Sequence, residues 1–576
     1  MTKPVMYVGA AIYAPEDPFA TAMLVENGTI AWMGTHAAAK SIMSDAMTVV
    51  DVEGALIAPA FVDSHAHITE TGRHLATLQL DHVRSKQEFL DELSRYAKGL
   101  DPKQRVLASG WDETLWDDPG AQDSSDADAD TDANAAVLPT VAELDRAVGS
   151  RPAYVLRRDL HTALASSAAL TAAGLEVPSG DLDGAWMSEH EHHVLREWAL
   201  TASDDELRLW QRTALSSFAK TGHALVTEMS APHVSGRRDL DVLLAAREKE
   251  AQELPSVHAF WAQLVETEAE ARELAASFTS NSRYRRLAGI GGDLSMDGSI
   301  GAYTAALRHD YADAPGEKGQ LLLTPQQVAA HVIACVNAGI PTGFHAIGDA
   351  ALDALLEGYR IAAEEVGARA IRQQRHRIEH AEMLDAHHIE AMLEFGLTAS
   401  VQPRFDELWG HAGDMYEARL GVERAASMNP FGSLSAAGVP LVFGSDAPVT
   451  HALPWKTIRA AMHHHDADQT LPARAGFLAH TRAGYRALNI PDPTAGVLRW
   501  GAAATFAIWE PSELIVGSTD LSRTSFSTDA RARTPMLPDL EPDSLPECWA
   551  TVRHGEILWD GKGLHGELHS GSEGLE

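Results

Sequence analysis

Eight short apolar runs recur along this chain, and helical stretches separate most of them. The runs lie around residues 57–65, 222–229, 254–262, 288–296, 340–346, 374–380, 396–402 and 439–445. Two of the intervening stretches, TPQQVAAHVIACVNAG and ALDALLEGYRIAAEEVG, have the composition and periodicity of helices. Strands that alternate with helices predict a parallel sheet, and eight such units predict an α/β fold built on a (β/α)8 TIM-type barrel.

Both ends of the chain have a different pattern. Residues 1–58 contain short apolar and β-branched runs broken by Asn-Gly and Glu-Gly, and TFAIWE and CWATVRHGEILWDG repeat this pattern near the end. We expect residues 1–58 and 495–576 to form one small composite β-sandwich. The barrel then comprises residues 59–70 and 211–494.

The segment between the first two barrel strands is too long for a simple crossover. Residues 71–210 are therefore predicted to form an insertion subdomain, with strand-like RVLASGWDE and AYVLRRDLH and helical AALTAAGL. Within it, residues 117–136 are rich in Asp and Ala and almost free of large apolar side chains. Such a stretch buries too little surface to order itself, so we expect a solvated acidic loop.

The bulk properties exclude several classes of function. The chain has 576 residues, 81 acidic against 46 basic, and a formal net charge of −35. A polyanion is a poor ligand for nucleic acids and for anionic membranes, so we expect neither as a partner. Two distant cysteines, no signal peptide and no membrane-length apolar run favour a reducing cytoplasm.

Metal-binding residue types stand at the ends of four of the apolar runs. They are His65 and His67 in VDSHAH, His345 in GFHAIGD, His380 in RIEHAE and Asp446 in VFGSDAP. Residues two apart on a strand face the same side, so the first pair can hold one cation. Parallel strands that deliver four imidazoles and a carboxylate to one rim of a barrel predict a metal site.

This ligand set indicates hydrolysis by a metal-activated water. Asp446 is expected to take the water proton and later to protonate the leaving amine. One of the rim histidines, His345 or His380, or else His161, is expected to stabilise the oxyanion. These assignments make Asp446, His380 and His345 the candidate catalytic residues.

Seven sequence blocks resemble those of one known family. They are PAFVDSHAH, GWDETLW, DGSIGAYTAAL, HAIGDAALD, RHRIEHAE, SVQPRF and GSDAPV. The chain resembles the amidohydrolase superfamily over nearly its whole length, and in particular the amidohydrolase-3 branch with its N-substituted formamide deformylases. The resemblance implies metal ligands at His65 and His67 on the first strand, at His345 and His380 on the fifth and sixth, and at Asp446 on the eighth.

One position departs from the family pattern. The family block resembles V-K-L-F-A-D-G-S, whose Lys is thought to be carbamylated and to bridge two metals, whereas this chain has GGDLSMDGS with Asp293 at the Lys position. A carboxylate cannot be carbamylated, and three outcomes remain open. Asp293 ligates metal directly, the site holds one metal, or the site is impaired. We expect one tightly held Zn²⁺, or a second, weaker divalent site that uses Asp293.

Five further residues are predicted to contact substrate: Trp111, Asp112, His161, Gln402 and Arg404. The first two end a strand of the insertion, and the last two end the seventh barrel strand. His161 follows Leu160 where the family usually has Gly. For Arg404 two roles are open, namely pairing with an anionic or carbonyl group of the substrate or a structural ion pair.

The sequence therefore predicts a zinc-dependent hydrolase of a small molecule that cleaves a non-peptide, amide- or formamide-like C–N bond. One alternative is a cyclic amidine deaminase of the same superfamily, and another is a non-catalytic homologue that binds a metal or ligand. A homodimer is expected only because dimers are the commonest oligomers.

Overall fold

The computed structural model describes residues 3–101, 104–117, 138–177, 189–232, 234–515 and 535–566. All but the first residue of the predicted acidic loop 117–136 lies outside the described residues. In the described part, no helix combines the length and the apolar composition that crossing a membrane requires.

Two β-sheets, one of N-terminal strands and one with strands from both ends of the chain, share one apolar core. The N-terminal strands are β1 Val5–Val8, β2 Ala11–Ile12, β3 Ala22–Glu26, β4 Thr29–Gly34, β5 Thr48–Asp51 and β6 Leu56–Pro59, with helix α1 at His36–Ala39. One sheet has the order β4-β3-β1-β5, and β2 and β6 join a second sheet with C-terminal strands. Side chains of both sheets, such as Val25 and Phe506, belong to the same buried cluster.

Strand β7 Phe61–Ala66 follows at once and is the first of eight parallel strands. Helix α2 Ile68–Ala76 leads into the insertion, whose elements are β8 Leu78–Gln79, α3 Lys86–Gly99, β9 Val106–Trp111, α4 Val141–Val148, β10 Ala153–Arg157, β11 Ala163–Ala165, α5 Ser167–Ala173 and α6 Glu189–Ala199. Strands β8 to β11 form their own sheet. The stretch predicted to be an insertion thus contains both strands and helices.

The next strands and helices alternate along the chain. They are α7 Asp204–Lys220, β12 His223–Ser230, α8 Arg237–Leu244, α9 Glu248–Gln252, β13 Ser256–Trp261, α10 Glu268–Ala276, β14 Arg285–Ile290, α11 Pro325–Ala338, β15 Gly343–Ala346, α12 Asp349–Val366, α13 Ala368–Gln374, β16 Arg377–His380, α14 Ala386–Phe395 and β17 Thr398–Val401. Helices α11 and α12 confirm the two helical stretches predicted from their periodicity.

The remaining elements are α15 Pro403–Trp409, α16 Met415–Leu420, α17 Val422–Ala425, α18 Phe431–Ala437, β18 Leu441–Phe443, α19 Pro454–Met462, α20 Ala473–Ala479, α21 Arg482–Ala487, β19 Phe506–Trp509, β20 Leu514–Ile515, β21 Leu537–Pro538, β22 Cys548–Arg553 and β23 Glu556–Asp560. The last strands complete the second terminal sheet in the order β2-β6-β19-β22-β23.

The eight parallel strands form two four-stranded sheets in a TIM-barrel-like α/β arrangement. Their orders are β14-β13-β12-β7 and β15-β16-β17-β18, and every neighbouring pair is parallel. Parallel bridges link Ser295 with His345 and Ala66 with Ala447, at the two places where one sheet meets the other. The carboxyl ends of all eight strands therefore lie on the same side.

Two of the predicted domain boundaries fall inside helices, because residues 70 and 210 belong to α2 and α7. These two helices pack closely on each other. A Cβ added to Gly72 would lie only 1.8 Å from the carbonyl oxygen of Trp210, so this contact requires glycine. Helix α7 leads directly into β12 and is the crossover helix of that strand.

Candidate metal centre

The strand ends bring six predicted ligands together. His65 is the second-last residue of strand β7, and His67 is the first residue after that strand. His345 and His380 lie at the ends of β15 and β16. Asp446 follows β18 by three residues, and Asp293 follows β14 by three residues. In the described part of the chain, these six side chains account for three of the four groups whose donor atoms lie close enough to share an ion.

The backbone at this rim takes unusual conformations. His380 has φ 67° and Asp446 has φ 53°, both in the left-handed region that non-glycine residues rarely adopt. Such conformations persist where the surrounding structure enforces them, and they concentrate at functional sites. A Cβ at Gly444 would lie 2.6 Å from the backbone nitrogen of His65, so this glycine lets the loop that carries Asp446 approach β7.

Asp446 is the centre of the first group of donor atoms. Its Oδ1 lies 3.3 Å from His65 Nε2 and 3.2 Å from His67 Nε2. Ligands of a tetrahedral zinc ion lie about 2.0–2.2 Å from the metal, and therefore about 3.3–3.6 Å from one another. The separations in this group are those of atoms that share one ion.

Asp293 connects this group to the other two histidines. Its Oδ1 lies 3.5 Å from His345 Nδ1 and 3.6 Å from His380 Nε2, and its Oδ2 lies 3.7 Å from His67 Nε2. The carboxylate therefore stands between the two sets of imidazoles. Of the three outcomes left open by the sequence, this geometry agrees with direct ligation by Asp293.

Charge in this buried cluster is balanced between carboxylates and imidazoles. Burial alone raises the pKa of Asp293 and of Asp446, but the adjacent histidines hold both pKa values below the ordinary range. Burial lowers the pKa of His65, yet Asp446 and Glu379 together raise it well above its usual value. For His345, Asp293 outweighs burial and raises the pKa to about 9. The two carboxylates thus require positive charge close by.

A divalent cation fits these residues. His65 Nε2, Asp293 Oδ1 and Asp446 Oδ1 are buried, face one another and have no hydrogen-bond partner among the described residues. Buried polar atoms without partners cost stability, and their presence in a native site suggests an ion or a ligand. Imidazole nitrogens and carboxylate oxygens are the donor set of divalent metals, zinc among them.

Three of the four donor histidines are held by a hydrogen bond at the other ring nitrogen. His65 Nδ1 donates to Glu379 Oε2 at 2.8 Å, and His380 Nδ1 donates to Gln402 Oε1 at 3.0 Å. His345 Nε2 donates to the carbonyl oxygen of Gly298 at 3.1 Å. These bonds fix the ring orientation and leave the opposite nitrogen as a lone-pair donor, as in metal sites generally.

A second layer of charge fixes this arrangement. Glu379 is fully buried and pairs with Arg377, whose Nε donates to Oε1 at 2.6 Å. Burial raises the pKa of Glu379, but Arg377 and His65 lower it to about 2, so this carboxylate stays ionised. Asp63 accepts backbone N–H groups of His65 and Ser445 at 3.1 Å each, which joins the end of β7 to the loop after β18.

A cavity of about 130 Å³ opens on the cluster. His67, Asp293, His345, His380 and Asp446 form one part of its lining. Aromatic and apolar side chains form another part, namely Phe405, Trp409, Met415, Tyr416, Ile347 and Val449. A cavity of about 150 Å³ accommodates benzene, so this one accepts a small molecule or a small part of a larger one.

Of the five predicted substrate residues, His161 lines the cavity and the other four do not. His161 lies beside His345, with ring centroids 5.7 Å apart. Trp111 is fully buried in the core of the insertion and donates from Nε1 to the carbonyl oxygen of Val155. It is the apolar end of β9, so packing takes the side chain inward.

Asp112, Gln402 and Arg404 act behind the lining. Asp112 pairs with Arg157 at 2.9 Å and accepts Trp409 Nε1 at 3.1 Å, so it holds two residues that do line the cavity. Gln402 holds His380. Arg404 lies in the first turn of α15 and pairs with Glu407, which is the structural ion pair that the sequence left open.

Two supporting residues, Glu379 and Asp297, are not among the predicted site residues. Glu379 was read only as the neighbour of His380, because its contact with His65 joins residues 314 positions apart. Asp297 accepts backbone N–H groups of Ala306, Ile347 and Gly348 and so fixes the loops on either side of His345. In the sequence, the position of Asp297 in GGDLSMDGS indicated a turn as readily as a catalytic role.

Known proteins resemble the chain over most of its length. It is 27% identical over 547 residues to Protein LONG AFTER FAR-RED 3 of Arabidopsis thaliana, covering 89% of this chain and 87% of that protein. It is 20% identical to the N-substituted formamide deformylase of Arthrobacter pascens, covering 74% and 77%.

Solved structures share the fold. An uncharacterised metal-dependent hydrolase from Pyrococcus furiosus matches with a TM-score of 0.66 and 23% identity, over 88% of this chain and 98% of that one. A mutant of atrazine chlorohydrolase TrzN from Arthrobacter aurescens TC1, complexed with zinc and atraton, matches with a TM-score of 0.50 and 14% identity, over 97% and 95%.

The family comparison agrees with the geometry of the site. A sequence model of the amidohydrolase family matches residues 48–559, which include both terminal sheets in part, all eight parallel strands and the six clustered ligands. The chain therefore belongs to the amidohydrolase family.

Proposed function

We propose that this protein is a metal-dependent hydrolase that cleaves an amide- or formamide-like C–N bond, other than a peptide bond, in a small molecule. The observation that carries the proposal is the buried cluster of four imidazoles and two carboxylates, in which three facing atoms have no hydrogen-bond partner within the described part of the chain. Membership of the amidohydrolase family supports it, as does the fold shared with a metal-dependent hydrolase.

His65, His67 and Asp446 would hold the cation, and His345 and His380 would hold it or a second one through Asp293. When bound, a divalent ion such as zinc supplies Lewis acidity toward a carbonyl oxygen and lowers the pKa of water. Zinc is favoured by the N/O donor set, and a fold relative has been solved with zinc. We propose one tightly held ion, with Asp293 available to a second, weaker one.

Asp446 is the proposed proton carrier. Its Oδ1 faces the histidines while the residue also lines the cavity, so it contacts both the cation site and the space for substrate. Because its pKa is held low by His65 and His67, the carboxylate is ionised and able to accept a proton from the attacking water. It would then return that proton to the leaving nitrogen, as a base that becomes an acid.

The cavity supports a small substrate. His161 stands beside His345 and lines the space next to the cluster, so its ring is the proposed donor to the developing oxyanion. Burial lowers the pKa of His161 to about 4, which makes it a neutral imidazole with one N–H to donate. A formyl or short acyl group fits a cavity of about 130 Å³, and one relative is named for deformylation of N-substituted formamides.

We also propose the architecture that serves this site. The two four-stranded sheets would close into one eight-stranded barrel through the bridges at Ser295–His345 and Ala66–Ala447. The terminal sheets, which share a core, would form one sandwich from both ends of the chain. The segment between α2 and α7 would be an insertion subdomain that covers the mouth of the barrel.

Metal analysis and turnover test the proposal together. Purified protein should contain close to one tightly bound ion per chain, and a panel of N-formyl and N-acyl amines should release free amine in a reaction that a chelator abolishes and zinc restores. Release of ammonia from cyclic amidines instead would support a deaminase. Metal binding without any turnover would identify a non-catalytic homologue.

Two substitutions separate the roles of the carboxylates. Asp446→Asn should keep the ion, because two histidines and an amide oxygen remain, and should lose at least about 100-fold in kcat. Asp293→Asn should lower the metal content instead. Wild-type kcat in Asp446→Asn would refute the proton-carrier role, and two tight ions in Asp293→Asn would refute the role of Asp293.

A further inference from the structure

Two arginines line the cavity, and their charges are balanced very differently. Arg157 is buried and pairs with three carboxylates, those of Asp112, Glu113 and Asp159, at 2.9, 2.8 and 2.6 Å. Every terminal nitrogen of its guanidinium has an anionic partner. Arg157 therefore has no capacity left for a negatively charged ligand.

The charge of Arg196, unlike that of Arg157, is not balanced by several carboxylates. It lies on α6, it is only 3% exposed, and it lines the same cavity as the metal-binding cluster. Its Nε donates to the carbonyl oxygen of Val234 at 2.9 Å, and its Nη2 lies 3.0 Å from Glu70 Oε2. Its Nη1 is buried and has no hydrogen-bond partner among the described residues.

Glu70 does not neutralise Arg196 by itself, because it is shared. The same oxygen Oε2 also pairs with Arg73, and within the described ranges Glu70 is the one carboxylate that forms an ion pair with either arginine. The phenol of Tyr154 hydrogen-bonds to His192 at 3.0 Å and also interacts with Arg196, but burial raises its pKa, so it stays neutral and supplies no negative charge. The two buried guanidinium groups share this one ion-paired carboxylate, while Asp239, which also lies near Arg73, accepts from Thr69 and Gln211. Among the described residues, Nη1 of Arg196 is therefore left without an anionic partner.

A buried guanidinium with a free N–H group is costly unless an anion approaches it. Arg196 lines the cavity, and a planar carboxylate matches the geometry of a guanidinium fork. The carboxylates that line the cavity already have partners. Asp293 and Asp446 face the histidines, and Asp159 faces Arg157. Asp297 accepts three backbone N–H groups, and Glu382 accepts the hydroxyl of Tyr416.

We infer that Arg196 is a specificity-determining residue that binds a carboxylate of the substrate, so that the preferred substrates are amides that also carry a carboxylate group. This inference deepens the proposed function and rests on it. The reacting C–N bond would lie at the metal-binding cluster and the carboxylate at the α6 wall. Arg196 thereby takes the role of anion partner that the sequence analysis considered for Arg404.

The experiment uses the zinc-loaded full-length protein and isosteric substrate pairs that differ only in charge. N-formylglycine and N-formylglycinamide place the carboxylate on the amine side of the scissile bond, and N-methylsuccinamate and N-methylsuccinamide place it on the acyl side. In one pair at least, kcat/KM should be about 10- to 100-fold higher for the acid, the range expected of a hydrogen bond to a charged group. The pair that shows the preference identifies the side.

Substitution of Arg196 tests whether this residue is the cause. In Arg196→Met the ratio of acid to amide should fall to about one, mainly through KM of the acid, and Arg196→Lys should restore part of it. The methionine variant leaves Arg73 and Glu70 as a balanced pair, which favours folding. Arg208→Met, on the exposed face of α7, is the matched control and should keep the wild-type ratio.

Calorimetric measurement of the affinity for the same pairs tests the inference even if no compound is hydrolysed. If the wild type turns over no compound but binds an acid more tightly than its amide, and Arg196→Met loses that preference, the inference stands and the proposed function fails. A ratio near one in the wild type, or an unchanged ratio in Arg196→Met, overturns the inference and leaves the hydrolase proposal intact. If the methionine variant does not fold, the ratio in Arg196→Lys decides, because an unchanged ratio there overturns the inference.

Discussion

Glu379→Gln should lower metal affinity without touching a metal-binding atom. The side chain is fully buried, its Oε2 accepts His65 Nδ1 at 2.8 Å, and both of its oxygens accept from Arg377 at 2.6 and 3.0 Å. Glutamine keeps the shape but offers only one acceptor oxygen. If that oxygen stays on Arg377, the amide N–H₂ faces His65 and drives the proton of His65 to Nε2, the nitrogen that should hold the cation.

The substitution should reduce both the affinity for metal and the free energy of unfolding. Loss of such a supporting hydrogen bond costs metal sites about 10- to 100-fold in affinity. Removing one partner of a buried ion pair costs about 3–5 kcal/mol, and the lower end applies because Arg377 Nη2 keeps the carbonyl oxygen of Ser64 at 2.6 Å and Ser400 Oγ at 2.8 Å. A loss of about 3 kcal/mol is a large fraction of the stability of a typical protein.

The assay is competition for zinc against a chelator of known affinity, together with the thermal melting temperature of the metal-replete protein. Asp560→Asn is a matched control, because this carboxylate holds His565 in the C-terminal region in the same way, at 3.1 Å. The control should lose some stability and keep its metal affinity. Wild-type zinc affinity in Glu379→Gln would refute the argument from the tautomer of His65.

Three further outcomes are expected. Gln402→Leu removes the acceptor of His380 Nδ1 and should weaken zinc binding by about tenfold or more with little change in melting temperature, measured by the same competition. Asp297→Ala leaves three backbone N–H groups without an acceptor and should lower the melting temperature and raise KM; an unchanged melting temperature would contradict this. Asp560→Asn should lower the free energy of unfolding by about 1 kcal/mol at pH 7, because His565 holds the pKa of Asp560 at about 2 against the effect of burial. Since this pKa is depressed in the folded protein, the stabilisation is present above about pH 4 and is lost as the pH falls through 2. Denaturation of wild type and variant at several pH values measures it.

The clustering of the proposed metal ligands was predictable because each has a local signal. His65 and His67 follow an apolar strand at the spacing that puts two side chains on one face, and Asp446 follows another such strand. Parallel strands then require their carboxyl ends to meet, so the pattern of strand and ligand was enough to predict that these residues converge.

The residues assigned to substrate were harder to predict, because a strand end does not state which way a side chain turns. Trp111 ends β9, but packing against Phe89 and Trp116 takes it into the core of the insertion. Arg404 also follows a strand, but it enters a helix within two residues and pairs with Glu407 one turn on. Both outcomes depend on neighbours that no local pattern specifies.

The sequence by itself determined the alternation of strands and helices, the family and the identity of the donor residues, because these depend on contacts between near neighbours and on side-chain chemistry. Only the tertiary structure decided that Asp293 stands between two pairs of histidines, that Glu379 supports His65, and that Arg196 rather than Arg404 faces the cavity. The physical reason is that these relations join elements up to 314 residues apart, and their distances are set by how helices and strands pack.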